Sequence, residues 1–335
     1  MPDFTRVLCA VDLTDQSRRA LDCALWWARQ HDADLSVLHV RHLQPPLTDS
    51  SGLAGDVLAP SEVPVPVQPP LTPSERNARL LELEDFVYRR RTDGLQVELL
   101  LEEDVSPAGA VLARADALAA DLIVVGAGAD AGSDHPALGP ITGDVLRSAT
   151  CSVLVVPPPA PDVANPCVTG LNRIMCAVSL SDASVHALEC ATSLATETAA
   201  HLTVVHVVEL FSEVAAVAYD FDAHREARLQ PACDDLVALV AAVVGPNKPV
   251  EEIVAQGRAP HEILKLADEE ATDLLVVGSG TGAHSGGRPT GQAVAREARC
   301  PVLFVYAEAS VLTLERDPRI GAADAPAAPA SAAKA

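Results

Sequence analysis

Two stretches of the chain carry residues of the kind that could hold a phosphate-bearing ligand. Asp12 ends the first apolar run, and Gly126 ends a later one, after which the sequence continues as GAGADAGSDHPALGPITGDVL. Glycines let a backbone approach a phosphate closely, and the N-terminus of a following helix offers unpaired N–H groups and the positive end of its dipole. Because glycines also end strands for purely steric reasons, the two stretches matter only if the fold brings them together.

The surrounding elements indicate how the fold could do so. Short apolar runs alternate with helical patterns in the first half, with strands expected near 6–12, 35–40, 95–101, 121–126 and 152–156, and helices near 16–31, 74–92, 107–119 and 141–149. Continuously apolar strands separated by helices are typical of a parallel sheet covered on both faces, with right-handed crossovers. Ligands bind such sheets beyond the carboxyl ends of the strands, where the strand order reverses. Asp12 and Gly126 are therefore expected to face each other at that edge.

The second half of the chain repeats the first. Arg6–Ala28 and Arg173–Ala195 match at an offset of 167 residues, with Ser179 in the place of Asp12. Later apolar runs match in the same order, 121–126 with 273–278 and 151–156 with 300–305. The repeat predicts an α/β protein of two tandem doubly wound domains, each with a five-stranded parallel sheet.

The repeat also sets the expected domain boundaries. The first domain should cover 1–158, a linker 159–170, the second domain 171–310, and a low-complexity tail 311–335. The first copy carries extra residues, most of them in 41–75, where many prolines disfavour helix and sheet interiors. This insert is expected to be a long, mobile surface loop.

Composition excludes several classes of partner. The 335 residues include 46 acidic and 24 basic ones, for a net charge of −22. Such a surface repels nucleic acid and anionic lipid, which are held mainly by Lys and Arg. No signal peptide is recognisable, and no apolar run approaches the roughly 20 residues of a membrane span. The protein is expected to be soluble and cytoplasmic, and its acidity fits either a salt-adapted source or a GC-rich genome.

The cysteines and two histidines have simple structural interpretations. Six of the eight cysteines occupy repeat-equivalent positions in apolar elements, as small buried residues do, and no Cys-x-x-Cys motif occurs. No metal site is therefore predicted. His39 and His206 end equivalent apolar strands, where a structural role is more common than a catalytic one.

Both halves resemble a universal stress protein domain. The resemblance is carried by Ala10-Val11-Asp12, the following SRRALDCALWWA, His39-Val40, the run DLIVVG and the closing CSVLVV, and it covers nearly all of 4–158 and 171–307. It implies a tandem member with the adenine-nucleotide α-hydrolase-like fold. In ATP-binding members the strand 1 aspartate and strand 2 valine hold the adenosine. Their phosphates lie on a loop written Gly, two residues, Gly, nine residues, Gly, then Ser or Thr.

Carried over residue by residue, the first half keeps most of this pattern, so the resemblance implies an ATP or AMP site. The candidate residues are Asp12, Val40, Gly126, Gly128, Gly139 and Thr142.

The first half departs from the pattern in ways that should weaken ATP binding. Ala129 replaces the second glycine, and Pro140 replaces the Ser or Thr. Because proline has neither a hydroxyl nor a backbone N–H, the protein loses two groups at this position that could bind a phosphate. Asp130 and Asp134 add like charges, which cost roughly 4 kcal/mol at about 4 Å and an effective dielectric of 20. We therefore expect ATP binding to be weak or absent, and AMP to be tolerated better.

The second half departs further from the pattern. Gly278 and Gly280 remain as candidates, but Ser179 replaces the aspartate and Thr281 stands at the second glycine. The last glycine is either replaced by Arg288 or is Gly291, followed by glutamine. The second copy is expected to have lost the site.

No catalytic residues are predicted. Adenylating enzymes of a related fold use a Ser-Gly-Gly-x-Asp-Ser loop after strand 1, where this chain has Asp12, Leu13, Thr14 and Asp15, and no P-loop motif occurs. The sequence favours a non-enzymatic stress-response protein with degenerate nucleotide sites that acts on an unidentified protein partner. The alternative is an AMP- or ATP-binding sensor that uses the first-domain site.

The last strand of each half should pair with its counterpart. An exposed apolar edge at 151–156 or 300–305 would invite aggregation unless another strand covers it. The resemblance implies antiparallel pairing of these strands, because single-domain family members dimerise in this way. A tethered second half has an effective concentration of about 1 mM, so pairing within one chain is expected, with a homodimer as the alternative.

Overall fold

The computed structural model describes residues 4–44, 68–89, 94–128, 138–158, 165–209, 221–245, 249–279 and 290–306. Ten strands in these ranges form one sheet, in the order β3-β2-β1-β4-β5-β10-β9-β6-β7-β8. The strands are β1 (Arg6–Val11), β2 (Asp34–His42), β3 (Val97–Asp104), β4 (Leu122–Gly126), β5 (Ser152–Val156), β6 (Arg173–Val178), β7 (His201–Val208), β8 (Val250–Gln256), β9 (Leu274–Ser279) and β10 (Val302–Tyr306).

The helices in the described ranges connect successive strands. They are α1 (Asp15–His31), α2 (Pro73–Tyr88), α3 (Pro107–Leu118), α4 (Pro140–Ser148), α5 (Pro166–Thr169), α6 (Asp182–Thr198), α7 (Phe221–Val243), α8 (Ala259–Glu269) and α9 (Thr290–Glu297). The chain runs outward from β1 through β2 and β3, and then crosses to β4 and β5 on the other side. The second half repeats this path from β6 to β10, so the α/β, doubly wound prediction is confirmed.

The two halves share their sheet through the final strands. β5 pairs with β10 in antiparallel orientation, with Leu154 opposite Leu303 and Val153 opposite Phe304. All other pairings between the strands of the described residues are parallel. The predicted pairing within one chain is therefore present.

Each face of the sheet carries one continuous apolar layer. Alternate strand residues point to opposite faces, so Val7 and Cys9 join one layer and Leu8 joins the other. Helices α1, α2, α5, α6 and α7 cover the first layer, and α3, α4, α8 and α9 cover the second. Because both layers contain residues from both halves, the halves share a core as well as a sheet.

Regular structure extends into both the insert and the segment between the halves. Strand β2 continues through Arg41 and His42, and α2 begins at Pro73, so both ends of the 41–75 stretch are regular; residues 45–67 lie outside the described ranges. The expected linker contains α5, whose Cys167 is buried in the first core layer. Asn165 caps this turn by accepting a hydrogen bond from the Cys167 N–H, and Pro166 fits the first helical position.

A carboxylate joins the amino ends of β1 and β4. Asp121 Oδ2 accepts hydrogen bonds from the Thr5 N–H (3.0 Å), the Thr5 hydroxyl (2.7 Å) and the Arg6 N–H (3.0 Å). Burial would raise the pKa of this carboxyl, but these hydrogen bonds outweigh burial and leave the pKa below its ordinary value. Asp273 repeats the arrangement by accepting from the N–H groups of Asn172 and Arg173.

We expect Asp121→Asn to lower the free energy of unfolding by about 2 kcal/mol at neutral pH, since hydrogen bonds to a charged group contribute roughly that much. A lowered folded-state pKa stabilises the protein above the unfolded-state value of about 3.9 and loses this contribution as pH falls through the folded value. The difference in the free energy of unfolding between wild type and variant should therefore become smaller below about pH 4. Urea unfolding at several pH values measures it, with exposed Asp32→Asn as the control. A difference that stays constant down to pH 2 would contradict the assignment.

Candidate functional site

The first half brings its predicted residues to one edge of the sheet. Strands β1 and β4 are parallel neighbours, with Ala10 opposite Val125. This register puts Val11 opposite Gly126, so Asp12 lies one residue further along on the neighbouring strand, at the carboxyl edge where the strand order reverses. The register of β1 with β2 places Val40 beside Asp12 on the other side.

Asp12 organises the turn into α1 without itself capping the helix. Its Oδ1 accepts hydrogen bonds from the Thr14 N–H (3.0 Å) and the Thr14 hydroxyl (2.6 Å). Thr14 is the N-cap, because its hydroxyl oxygen accepts from the Ser17 N–H at 3.4 Å. The turn between them requires a left-handed conformation at Leu13, with φ of 64°. Asp12 therefore supports the N-cap residue through these two hydrogen bonds.

Asp12 presents a negative charge at this edge. Burial would raise the pKa of its carboxyl, but hydrogen bonds from Thr14 and Ser17 outweigh burial and leave the pKa below its ordinary value. The residue is exposed, so its carboxylate is in contact with solvent at neutral pH. A ligand at this position must therefore offer a hydrogen-bond donor or a cation.

Histidines at equivalent strand ends hold neighbouring strands together. The Nδ1 atom of His39 lies 2.9 Å from the carbonyl oxygen of Val11, and that of His206 lies 2.9 Å from the carbonyl oxygen of Val178. Since a carbonyl only accepts, Nδ1 must carry the proton in both rings. This contact supports the structural interpretation of both histidines. Val40 is half-buried and packs against the second core layer.

The glycines after β4 have different surroundings. A Cβ added to Gly126 would meet no atom of the described residues within 4 Å, so these residues leave the space beside the strand end open. Gly128 has a φ of 80°, and a Cβ there would lie 3.0 Å from the Cα of Gly139. The Gly139 N–H donates to the Ala127 carbonyl at 2.7 Å. Gly128 and Gly139 therefore close the base of the loop, whose residues 129–137 lie outside the described ranges.

The start of α4 retains part of an anion site. Gly139 is the N-cap and makes no side-chain cap bond, while Pro140, the first helical residue, has no N–H. The N–H groups of Ile141 and Thr142 belong to the first turn, which has no intrahelical acceptors for them. The buried Thr142 hydroxyl donates to the Gly126 carbonyl at 2.7 Å, so its proton is already used. This helix start can offer an anion backbone donors but only a reduced set of them.

The corresponding edge of the second half is closed by a helix. A Cβ added to Gly278 would lie 2.4 Å from the carbonyl oxygen of Ala183, in the first turn of α6. Ser179 replaces the aspartate, and its hydroxyl lies 3.0 Å from that of Ser181 and 3.1 Å from that of Ser184. One hydroxyl thus replaces a charged carboxylate, since Ser181 and Ser184 correspond to Thr14 and Ser17 of the first half. The first turn of α6 lies where the described residues of the first half leave the space beside Gly126 open. Gly280, Thr281 and Arg288 lie outside the described ranges.

Sequence reasoning did not foresee this difference between Gly126 and Gly278. Both glycines end equivalent apolar strands, and the sequence around each has the same pattern. A weak signal exists at the helix start, where Gln16 in the first half corresponds to the smaller Ala183 in the second. A small residue permits closer packing of a helix on a strand end, but it does not by itself predict such packing.

Neither a metal-binding cluster nor a membrane-spanning helix is found in the described parts of the chain. Within the described parts of the chain, no three His, Cys, Asp or Glu side chains cluster as metal ligands. No helix in the same parts is long and apolar enough to cross a membrane.

Comparisons with known proteins agree on one family. The family model described as the universal stress protein family matches residues 3–157 and again 170–306. The universal stress protein YxiE of Bacillus subtilis strain 168 is 30% identical over 153 residues, which cover 46% of this chain and 99% of that protein.

Solved structures share this fold over about nine-tenths of the chain. A protein of unknown function from Pseudomonas aeruginosa PAO1 has a TM-score of 0.61 and 19% identity, covering 91% of this chain and 93% of its own. A universal stress protein from Archaeoglobus fulgidus DSM 4304 has a TM-score of 0.57 and 18% identity, covering 90% of this chain and 98% of its own.

Proposed function

The chain belongs to the universal stress protein family, and we propose that it is a non-enzymatic stress-response regulator whose nucleotide sites are degenerate. In this proposal any adenine nucleotide binds weakly, in the first half only, at Asp12, Val40, Gly126, Gly128, Gly139 and Thr142. Gly278 and Gly280 of the second half then serve the fold and not a ligand.

The contrast between Gly126 and Gly278 supports this proposal most directly. Among the described residues, the first strand-end glycine faces open space, whereas an ideal Cβ on the second would lie 2.4 Å from the carbonyl oxygen of Ala183. A nucleotide at the second position would have to displace the first turn of α6, whose Ser184 is 2% exposed. Among the described residues, this contrast favours the first half as the place for a ligand at the reversal of strand order.

The remaining donors and charges support weak binding there. Pro140 supplies no N–H, and the Thr142 hydroxyl proton is used by the Gly126 carbonyl. Asp130 and Asp134, in the glycine-rich sequence between β4 and α4, would repel a triphosphate more than a monophosphate. About one third of the roughly 4 kcal/mol repulsion at 4 Å already weakens binding about tenfold.

Calorimetric titration of the full chain with AMP and with ATP tests the proposal. We expect AMP to bind about tenfold more tightly than ATP, because it places fewer negative charges near the loop. Asp12→Ala and Gly126→Val should abolish binding of both nucleotides. Ser179→Ala, at the matched position of the second half, should leave binding unchanged. Micromolar ATP affinity that survives both first-half substitutions would disprove the proposal.

An AMP- or ATP-binding sensor in the first half is the second candidate function. The observation that favours it is the exposed, ionised Asp12 beside the open space at Gly126. Protein purified without added nucleotide can be denatured and its supernatant analysed for AMP and ATP. Release of nearly one nucleotide per protein chain would favour the sensor. Absence of released nucleotide would favour a regulator that acts through a protein partner.

The proposal places the protein in the cytoplasm. All eight cysteines are free thiols and most are buried, as is usual in a reducing compartment. The net charge of −22 argues against nucleic acid and anionic membranes as partners. A protein partner, or a second copy of the chain, remains the partner class that this proposal requires.

A further inference from the structure

Two buried thiols meet where the segment between the halves packs on the first helix. Cys23 lies on α1 and is fully buried, and Cys167 lies on α5 and is 6% exposed. The Cys23 thiol donates a hydrogen bond to Oδ1 of Asn165 at 3.5 Å, and the same oxygen accepts from the Cys167 N–H at 3.2 Å. Both cysteines belong to the same buried apolar layer, and the neighbouring Cys167 thiol helps to raise the pKa of Cys23. One amide oxygen therefore contacts both residues, the thiol of Cys23 and the backbone N–H of Cys167.

We propose that Cys23 and Cys167 form a reversible intramolecular disulfide when the protein meets hydrogen peroxide. The bond would join α1 covalently to the segment that connects the halves. Both residues belong to the first core layer, so the bond would form inside an existing contact and would not require the halves to rearrange.

The chemistry requires only the two thiols and the peroxide. The Cys167 thiol gives up its proton, and its sulfur attacks one peroxide oxygen; the O–O bond breaks and hydroxide leaves as water, which yields a sulfenic acid. The Cys23 sulfur then attacks the Cys167 sulfur, the S–O bond breaks, and the departing hydroxide takes the Cys23 proton as a second water. Two electrons pass from the thiols to one peroxide molecule, and two waters form.

The surroundings decide which thiol reacts first and when. Burial, reinforced by the adjacent Cys167 thiol, raises the pKa of Cys23 well above its ordinary value, so Cys23 stays protonated in the closed structure. Cys167 is the more accessible partner, since it sits on a helix of only four residues. Local opening of such a short element costs far less than unfolding of the sheet. Peroxide therefore reaches Cys167 through opening of α5, and the bond forms as α5 closes.

Exposure of the folded, full-length protein to hydrogen peroxide, followed by acid quenching, tests the proposal. We expect the eight titratable thiols to decrease by two, and non-reducing digestion to yield a peptide pair joined through Cys23 and Cys167. Because one tryptic peptide contains both Cys151 and Cys167, fragment spectra or a Cys151→Ser background must identify the bonded sulfur. Dithiothreitol should restore all eight thiols.

Matched variants distinguish a disulfide between Cys23 and Cys167 from non-specific oxidation of the other cysteines. Cys167→Ser should abolish the cross-link, whereas Cys190→Ser, at the position equivalent to Cys23 in the second half, should leave it intact. Unchanged thiol content in peroxide-treated folded protein would overturn the proposal, as would cross-links that join other cysteines in its place. Because the wild-type mass spectrum decides by itself, a variant that fails to fold does not block the test.

Discussion

Gly278→Ala should lower the free energy of unfolding by about 3 kcal/mol, whereas Gly126→Ala should change it by less than about 1 kcal/mol. The two glycines end equivalent strands, but their surroundings differ. An added Cβ meets the Ala183 carbonyl oxygen at 2.4 Å in the second half, and no described atom within 4 Å in the first. A backbone oxygen in the first turn of a helix cannot move aside as a flexible side chain can, so α6 would have to shift on β9. In the first half the added methyl group enters open space.

Urea unfolding of both variants beside the wild type measures this difference, with the midpoints followed by circular dichroism. The repeat makes each variant the control for the other, since the substitution, strand position and preceding sequence are matched. Equal destabilisation by both substitutions would show that α6 does not close the second site. It would also remove the main support for confining nucleotide binding to the first half.

Leu154→Pro should separate the two halves. Leu154 is fully buried in β5, between Val124 of β4 and Leu303 of β10, at the only antiparallel pairing in the described sheet. Proline removes a backbone donor and its ring obstructs the ladder, which costs about 3 kcal/mol or more, and loss of the leucine side chain adds to this cost. We expect a larger radius of gyration by X-ray scattering and faster protease cleavage within 159–164.

Leu154→Ala is the matched control for this prediction. It removes most of the side chain and costs about 2–5 kcal/mol in stability, but it keeps the N–H and the strand geometry. The alanine variant should therefore be less stable and still compact. If the proline variant scatters and is cleaved like wild type, the halves are held together elsewhere, through the shared helical layers.

The sequence alone was sufficient for the architecture. Arg173–Ala195 repeats the sequence pattern of Arg6–Ala28, and apolar strands alternate with helices in both halves. Because a parallel sheet must be buried on both faces, this pattern predicts two doubly wound halves. The pairing of β5 with β10 follows from the same logic and from the family resemblance, since an apolar edge strand needs a partner. The edge that carries Asp12 and Gly126 is likewise set by topology.

The tertiary structure decided what surrounds those residues. The local sequence predicts that Gly126 and Gly278 each end a strand. The distance from each strand end to the neighbouring helix depends on how α1 and α6 pack, and this packing involves the whole core layer. The same limit applies to Cys167, which lies in a proline-rich stretch with the composition of a linker and yet packs against Cys23 on α1. Periodicity thus determines which elements form and their order in the sheet. Side-chain packing between elements distant in sequence determines which strand end is open and which buried thiols meet.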